Sequence, residues 1–241
     1  MKEKKGLDLK KTHIDTMKEC HRVIHVFDFD GTLFRSPVPS DRHPKACDPT
    51  FSGGYGWFQS LMSLCPPVVP ERPDSSWYSS STVSAFHQAT KEGSPCFVLT
   101  GRDEKFRGRI ANLLEHASIQ PVALFLKPQE NSGTVKHKVE CFGELVAHYG
   151  AVTIRYYEDR PRQGKSIEAA MEQLRYRIVH PLDTDFLVST TDFPRSLRHM
   201  KVPRKMAGGA AEFIFELVMV EPADTLLPLD VEEQLVKNLL Q

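Results

Sequence analysis

Short apolar runs, each ending in polar residues, organise much of the chain. Val23 to Phe27 runs into Asp28, and Pro95 to Leu99 runs into Thr100-Gly101-Arg102. Val122 to Leu126 runs into Lys127-Pro128, and Val152 to Tyr157 into Glu158-Asp159. Continuous runs this short predict strands buried on both faces, as in a parallel sheet. Between them, apolar residues recur at helical spacing: Phe106, Ile110, Leu113, Leu114 and Ala117, then Val135, Val139, Phe142, Val146 and Tyr149, then Ile167, Ala170, Met171 and Leu174. Alternating strands and helices predict a doubly wound, Rossmann-like parallel α/β sheet with right-handed crossovers. Ligands in such a sheet sit beyond the carboxyl ends of the strands. Asp28, Asp30, Thr100, Arg102, Glu158 and Asp159 therefore belong to one candidate site.

Other segments break the pattern. Residues 35–75 are rich in proline and serine and predict an irregular insert, followed by a helix from Ser75 to Lys91. The insert is too short and too proline-rich for a full cap domain. From about residue 180 a C-terminal extension holds a predicted strand (Asp185 to Ser189), a basic loop (Arg195 to Ala211), an apolar strand (Phe213 to Val220) and a helix with Val231, Leu235, Val236, Leu239 and Leu240 on one face. Residues 1–20 mix lysines with acids and predict a flexible lead-in, leaving residues 21–241 as a single domain.

Composition narrows the function. Formal net charge is zero over 241 residues, so nothing global draws the chain to nucleic acid or membrane. The five cysteines form no CxxC pair, which argues against a zinc site or disulfide framework and fits a reducing, intracellular compartment, cytoplasmic or nuclear. No apolar run is long enough to span a bilayer, and no membrane partner is expected.

Phe27-Asp28-Phe29-Asp30-Gly31-Thr32-Leu33 is the most specific signal. Two carboxylates at i and i+2 leave a strand end on the same side and repel, so a cation beside them is expected. This motif resembles that of the haloacid dehalogenase (HAD) superfamily, in which a hydrophobic strand is followed by Asp-x-Asp-Gly-Thr-Leu. The resemblance implies a Mg²⁺-dependent phosphatase of the HAD fold. Asp28 would be the nucleophile and form an aspartyl-phosphate. Asp30 would protonate the leaving group and then activate water. Val98-Leu99-Thr100-Gly101-Arg102 resembles the second motif, in which the Thr100 hydroxyl and nearby backbone N–H groups bind phosphoryl oxygens. Tyr157-Glu158-Asp159-Arg160 resembles the fourth, with Asp159 the first choice and Glu158 the second as Mg²⁺ ligands beside Asp28 and Asp30. The third motif supplies a lysine that neutralises charge at the nucleophile. Lys138 is favoured over Lys127.

Within the superfamily, residues 22–178 resemble the HAD domain of Swiss army knife RNA-repair-like proteins. Gly56-Trp57, Pro70, Trp77, Phe106, Leu126-Lys127-Pro128 and Thr134 carry the finer match, while Gln163 stands where such relatives lead one to expect histidine. The resemblance implies a phosphorylated substrate, with RNA or DNA ends as candidates. Gly101, Arg102 and Arg160 are candidate substrate contacts, and Tyr55, Trp57, Phe58, Trp77 and Tyr78 are candidate stacking surfaces for bases. A phosphatase of small metabolites and a non-catalytic scaffold are the competing functions.

Overall fold

The computed structural model describes residues 22–39, 56–128, 133–149, 152–179, 213–223, 225–226 and 230–233. The lead-in, Tyr55, the expected strand at 185–189, the basic loop at 195–211 and most of the expected terminal helix lie outside the described residues.

The apolar runs form strands where the pattern places them. They are β1 (Arg22–Phe27), β3 (Cys96–Asp103), β4 (Ala123–Lys127) and β5 (Val152–Glu158), and the C-terminal region adds β6 (Ile214–Met219). All pair in parallel in the order β4-β3-β1-β5-β6. The crossovers run through α1 (Ser80–Lys91), α2 (Arg107–His116), α3 (Thr134–Tyr149) and α4 (Pro161–Val179). The helix expected from Ser75 begins instead at Ser80. Ser75–Trp77 is a separate 3-10 turn whose N-cap is Asp74, and the chain is extended at Tyr78 and Ser79 before α1 starts.

Strand alternation sorts the core into two layers. Phe27, Val98, Leu126 and Tyr157 face α1, α2 and the insert through Phe86, Ile110, Leu113 and Trp57. Val26, Phe97, Leu99, Phe125, Ile154 and Tyr156 face α3 and α4 through Val139, Phe142, Ile167 and Met171. This is a doubly wound α/β sheet covered on both faces.

From β1 the chain winds outward through β3 to β4, then returns across β1 to β5 and β6. The winding direction reverses between β1 and β5, which makes that crevice the topological switch point. Register brings the strand ends level. Phe27 pairs with Val98 on one side and with Tyr157 on the other, so Asp28 emerges beside Glu158 and close to Thr100.

Beyond β1 the chain turns sharply. Gly31 has φ of +72°, a conformation that costs a residue with a Cβ. The described part of the insert has a two-residue strand β2 (Pro37–Val38) and 3-10 turns at Trp57–Gln59 and Leu61–Leu64, with no cap domain among the described residues. β2 pairs in parallel with β7 (Thr225–Leu226), and the Ala223 N–H donates to the Gly31 carbonyl at 2.8 Å. The C-terminal chain thus returns to brace the loop that follows β1.

Phe142 is fully buried on α3, packed edge-on to Tyr156 and Phe215. Phe142→Ala is expected to lower unfolding free energy by about 3–5 kcal/mol. Equilibrium denaturation with urea reads this directly, and a loss below about 1 kcal/mol would contradict the packing described.

Candidate active site

Three neighbouring strand ends and one helix meet at the switch point. Asp28 is fixed as it leaves β1 by its backbone N–H, which donates to the Tyr157 carbonyl at 3.0 Å. Lys138, one turn into α3 and 0% exposed, points its ammonium 3.0 Å from Asp28 Oδ2 and 3.1 Å from Glu158 Oε2. It also donates to the Tyr156 hydroxyl at 2.7 Å. Lys127 instead pairs with Asp103 at 3.4 Å.

Glu158 is consumed within the protein. Its Oε2 accepts from Lys138, from the Tyr156 hydroxyl at 2.6 Å and from Gln163 Nε2 at 2.7 Å, while Oε1 accepts from the Arg160 backbone N–H at 3.0 Å. Gln163 therefore contacts the acid at the end of β5. Asp159 accepts from the Thr32 hydroxyl at 3.1 Å, with Arg160 Nε 3.9 Å away. Asp28, Glu158 and Asp159 each bring one oxygen within 4.8 Å of the others, and all three are buried.

Asp30 lies apart from that group. Its carboxylate accepts from Arg102 at 2.6–2.9 Å, from the Ser36 hydroxyl at 2.5 Å and from the Thr100 hydroxyl at 3.5 Å. Its side chain is thus occupied by Arg102 and Ser36 and is not gathered with the expected metal ligands. Arg102, expected against substrate, is 1% exposed and turned inward. Gly101 accepts from Gln59 Nε2 at 2.9 Å through its carbonyl, and a Cβ there would lie 2.6 Å from Thr134 Cγ2. Arg160 is at the rim, 39% exposed, with its guanidinium 4.6 Å from the Phe58 ring centre.

The aromatic residues are largely engaged elsewhere. Trp57 is buried and donates to the Pro37 carbonyl at 2.7 Å, and Tyr78 donates to the Leu113 carbonyl at 2.7 Å. Trp77 stacks on Phe34, and Phe58 packs against Arg102 as well as Arg160.

The chain matches the sequence model of HAD domain family 1 in Swiss Army Knife RNA repair proteins over residues 46–241. This chain belongs to that family. A solved structure of the HAD domain of the effector protein Lem4 from Legionella pneumophila, an inactive mutant, aligns at a TM-score of 0.36 and 10% identity, over 92% of this chain and 94% of that one. The family match begins after the Asp28–Asp30 corner, yet the parallel sheet of this HAD domain sets that corner against Glu158 and Asp159, which lie inside the match. Among the described residues, no helix is long and apolar enough to cross a membrane.

Electrostatics suit a cation at the HAD site. Burial pushes Asp28 up to about 8, with Lys138 pulling against it and Glu158 adding to the rise. Burial likewise lifts Asp159 to about 6 against the pull of Arg160. Burial would raise Glu158 too, but Lys138 and the Tyr156 and Gln163 hydrogen bonds outweigh it and hold the group well below its usual range. The local balance is four carboxylates (Asp28, Asp30, Glu158, Asp159) against three cations (Lys138, Arg102, Arg160), a net charge of minus one when all are ionised. Magnesium takes hard oxygen ligands, which this donor set supplies.

A divalent cation must displace the protons that Asp28 and Asp159 retain. Apparent Mg²⁺ affinity is therefore expected to tighten as pH rises through about 6 to about 8 and to level off above. Calorimetry in two buffers of different ionisation heat should show release of about one proton or more per ion near pH 6.5. Affinity that is flat across this range, with no proton release, would contradict the arrangement.

Proposed function

We propose that this HAD domain is a Mg²⁺-dependent phosphomonoester hydrolase that works through an aspartyl-phosphate on Asp28 and acts on phosphorylated RNA or DNA ends. One observation carries the reading: a buried carboxylate at the end of the central strand lies 3.0 Å from a fully buried lysine and within 4.8 Å of two further acids. Asp28 and Asp159 are the better-placed ligands, because Glu158 already spends both oxygens on protein donors. When bound, Mg²⁺ offsets the charge of the nucleophile and of the phosphoryl oxygens.

An Asp28 oxygen attacks phosphorus, and the bond from phosphorus to the ester oxygen breaks. Lys138 opposes the rise that burial imposes on Asp28, orients it, and offers positive charge as charge spreads over the phosphoryl oxygens. In the second step water attacks the same phosphorus, the bond to Asp28 breaks and inorganic phosphate leaves. Asp30 takes the proton of that water. Burial alone would raise the Asp30 carboxyl, but the Arg102 guanidinium and the Arg102 and Ser36 hydrogen bonds hold it below its ordinary value, which favours the base form. The proton that Asp30 takes from water in the second step is the one it passes to the departing oxygen in the first step of the next turnover. Thr100 supports Asp30 from β3, and in this reading its hydroxyl and the Gly101 backbone contact the phosphoryl oxygens.

RNA or DNA ends are supported by the family's description and by Arg160 at the rim, a half-exposed cation suited to a flanking phosphate. Membership of a HAD family supports phosphohydrolysis in general, and comparing phosphorylated oligonucleotides with nucleoside monophosphates separates nucleic-acid ends from small metabolites.

Phosphate release should require Mg²⁺ and stop with EDTA. Asp28→Asn should lower it by at least about 10³-fold in protein that still unfolds cooperatively, because an amide cannot become the phospho-enzyme. Oligonucleotides bearing 5′- or 3′-phosphates should show higher kcat/KM than nucleoside monophosphates, and the preference should shrink with salt. Equal kcat/KM at low salt would leave a general phosphatase. Inactivity on every substrate, a generic aryl phosphate included, would leave a scaffold.

A further inference from the structure

We propose that Arg102 is a positioning residue for Asp30, and that it couples the insert to hydrolysis of the phospho-enzyme. The inference rests on the phosphatase reading above. Arg102 lies near the irregular end of β3, where the pairing with β4 shifts between Leu99 and Asp103. Its side chain lies on the Val98 face of the strand, against Phe58 and Phe106, and is 1% exposed.

Every guanidinium nitrogen is used. Nε lies 2.9 Å from both Asp30 oxygens, and Nη2 donates to Oδ1 at 2.6 Å. Nη1 donates to the Phe58 carbonyl at 2.8 Å and to the Ser63 hydroxyl at 2.6 Å. The guanidinium also lies 4.9 Å from the Phe106 ring centre and 5.5 Å from that of Phe58. A planar fork gripping a carboxylate fixes the plane of that carboxylate, which a lysine does not do. Four of the five N–H donors of the guanidinium are thus spent on Asp30, Phe58 and Ser63.

The insert supplies the other half of the grip. Phe58 and Ser63 provide the acceptors for Nη1, without which a buried charged donor would go unpaired. Gln59 clamps the backbone on both sides of Arg102, donating to the Gly101 carbonyl at 2.9 Å and accepting from the Asp103 N–H at 3.1 Å. Residues 58–63 therefore hold Arg102, and Arg102 holds Asp30. Arg102 touches neither Asp28 nor the acids that follow β5, so its influence falls on the residue that handles the hydrolytic water.

The test separates the two chemical steps in the full chain with Mg²⁺ and p-nitrophenyl phosphate. Nitrophenolate leaves without needing a proton, so the first step bypasses Asp30, while water attack does not. Arg102→Met should slow dephosphorylation by about 10–100-fold, with the first-turnover burst of nitrophenolate changed by less than about threefold. Phospho-enzyme should then accumulate in acid-quenched samples. Arg102→Lys should restore dephosphorylation only partly. In an Asp30→Asn background, Arg102→Met should add little, because the group it positions is gone.

Should Arg102→Met fail to fold, Ser63→Ala decides. It removes one acceptor of Nη1 and should slow dephosphorylation selectively, by about threefold. Parallel losses in both steps, an unchanged dephosphorylation rate, or a rise in KM alone would overturn the inference. Wild-type protein that releases no phosphate would overturn the phosphatase reading and this inference with it. An active wild type with parallel losses would overturn this inference alone.

Discussion

A lysine with no solvent exposure needs its charge answered, and the site is organised around that need. Lys138 is answered by Asp28 from β1 and Glu158 from β5, with the Tyr156 hydroxyl taking another of its protons. Removing one partner of such a buried set typically costs about 3–5 kcal/mol, because the others remain buried and uncompensated. The lysine reaches this point because α3 begins close to the end of β3. Gly101 permits that approach, since a Cβ would lie 2.6 Å from Thr134 at the first position of the helix. Thr134 and Lys138 share a helix face at i and i+4, so bringing one to the strand ends brings the other.

A second buried pair, Arg102 with Asp30, stands beside the first and answers to the insert. The two acids of the Asp28–Asp30 corner are thus held from different directions. Asp28 is held by α3 and β5, and Asp30 by β3 and the chain at 58–63. This division gives each carboxylate its own electrostatic setting two residues apart. Burial prevails at Asp28, whereas at Asp30 the Arg102 guanidinium and the Arg102 and Ser36 hydrogen bonds together outweigh it. Proteins that run nucleophilic and acid–base chemistry with neighbouring carboxylates depend on such separation.

Much of the fold was legible in the sequence because its signals are local. Short apolar runs with polar ends gave the strands, helical spacing gave the crossovers, and a parallel sheet puts all the strand ends on one side. The helix expected from Ser75 to Lys91 starts late, because Asp74 caps a separate 3-10 turn first. Of the two candidate lysines, Lys138 lies against Asp28 and Lys127 against Asp103, a difference of partners that their place in the sequence does not reveal. What escaped were the contacts of the polar residues that hold the candidate site residues: Gln59 and Ser63 reach about forty residues along the chain, whereas Ser36, Tyr156 and Gln163 contact acids within six residues. Tyr156 carried a readable signal, since it shares a strand face with Glu158 two residues on. Arg102 did not. Besides Asp30, its acceptors are a carbonyl and a hydroxyl in irregular chain more than thirty residues earlier, where no periodicity operates.

The central claim is that the carboxylate beside Lys138 becomes covalently phosphorylated. Acid-quenching the full chain during turnover with Mg²⁺ and an aryl phosphate, followed by peptide mass spectrometry, tests it most directly. The account predicts a hydroxylamine-sensitive phosphate on the peptide that carries Asp28, located on Asp28 by fragmentation. Turnover with the phosphate on any other residue, or with no covalent phosphate under conditions that trap acyl phosphates, would contradict it.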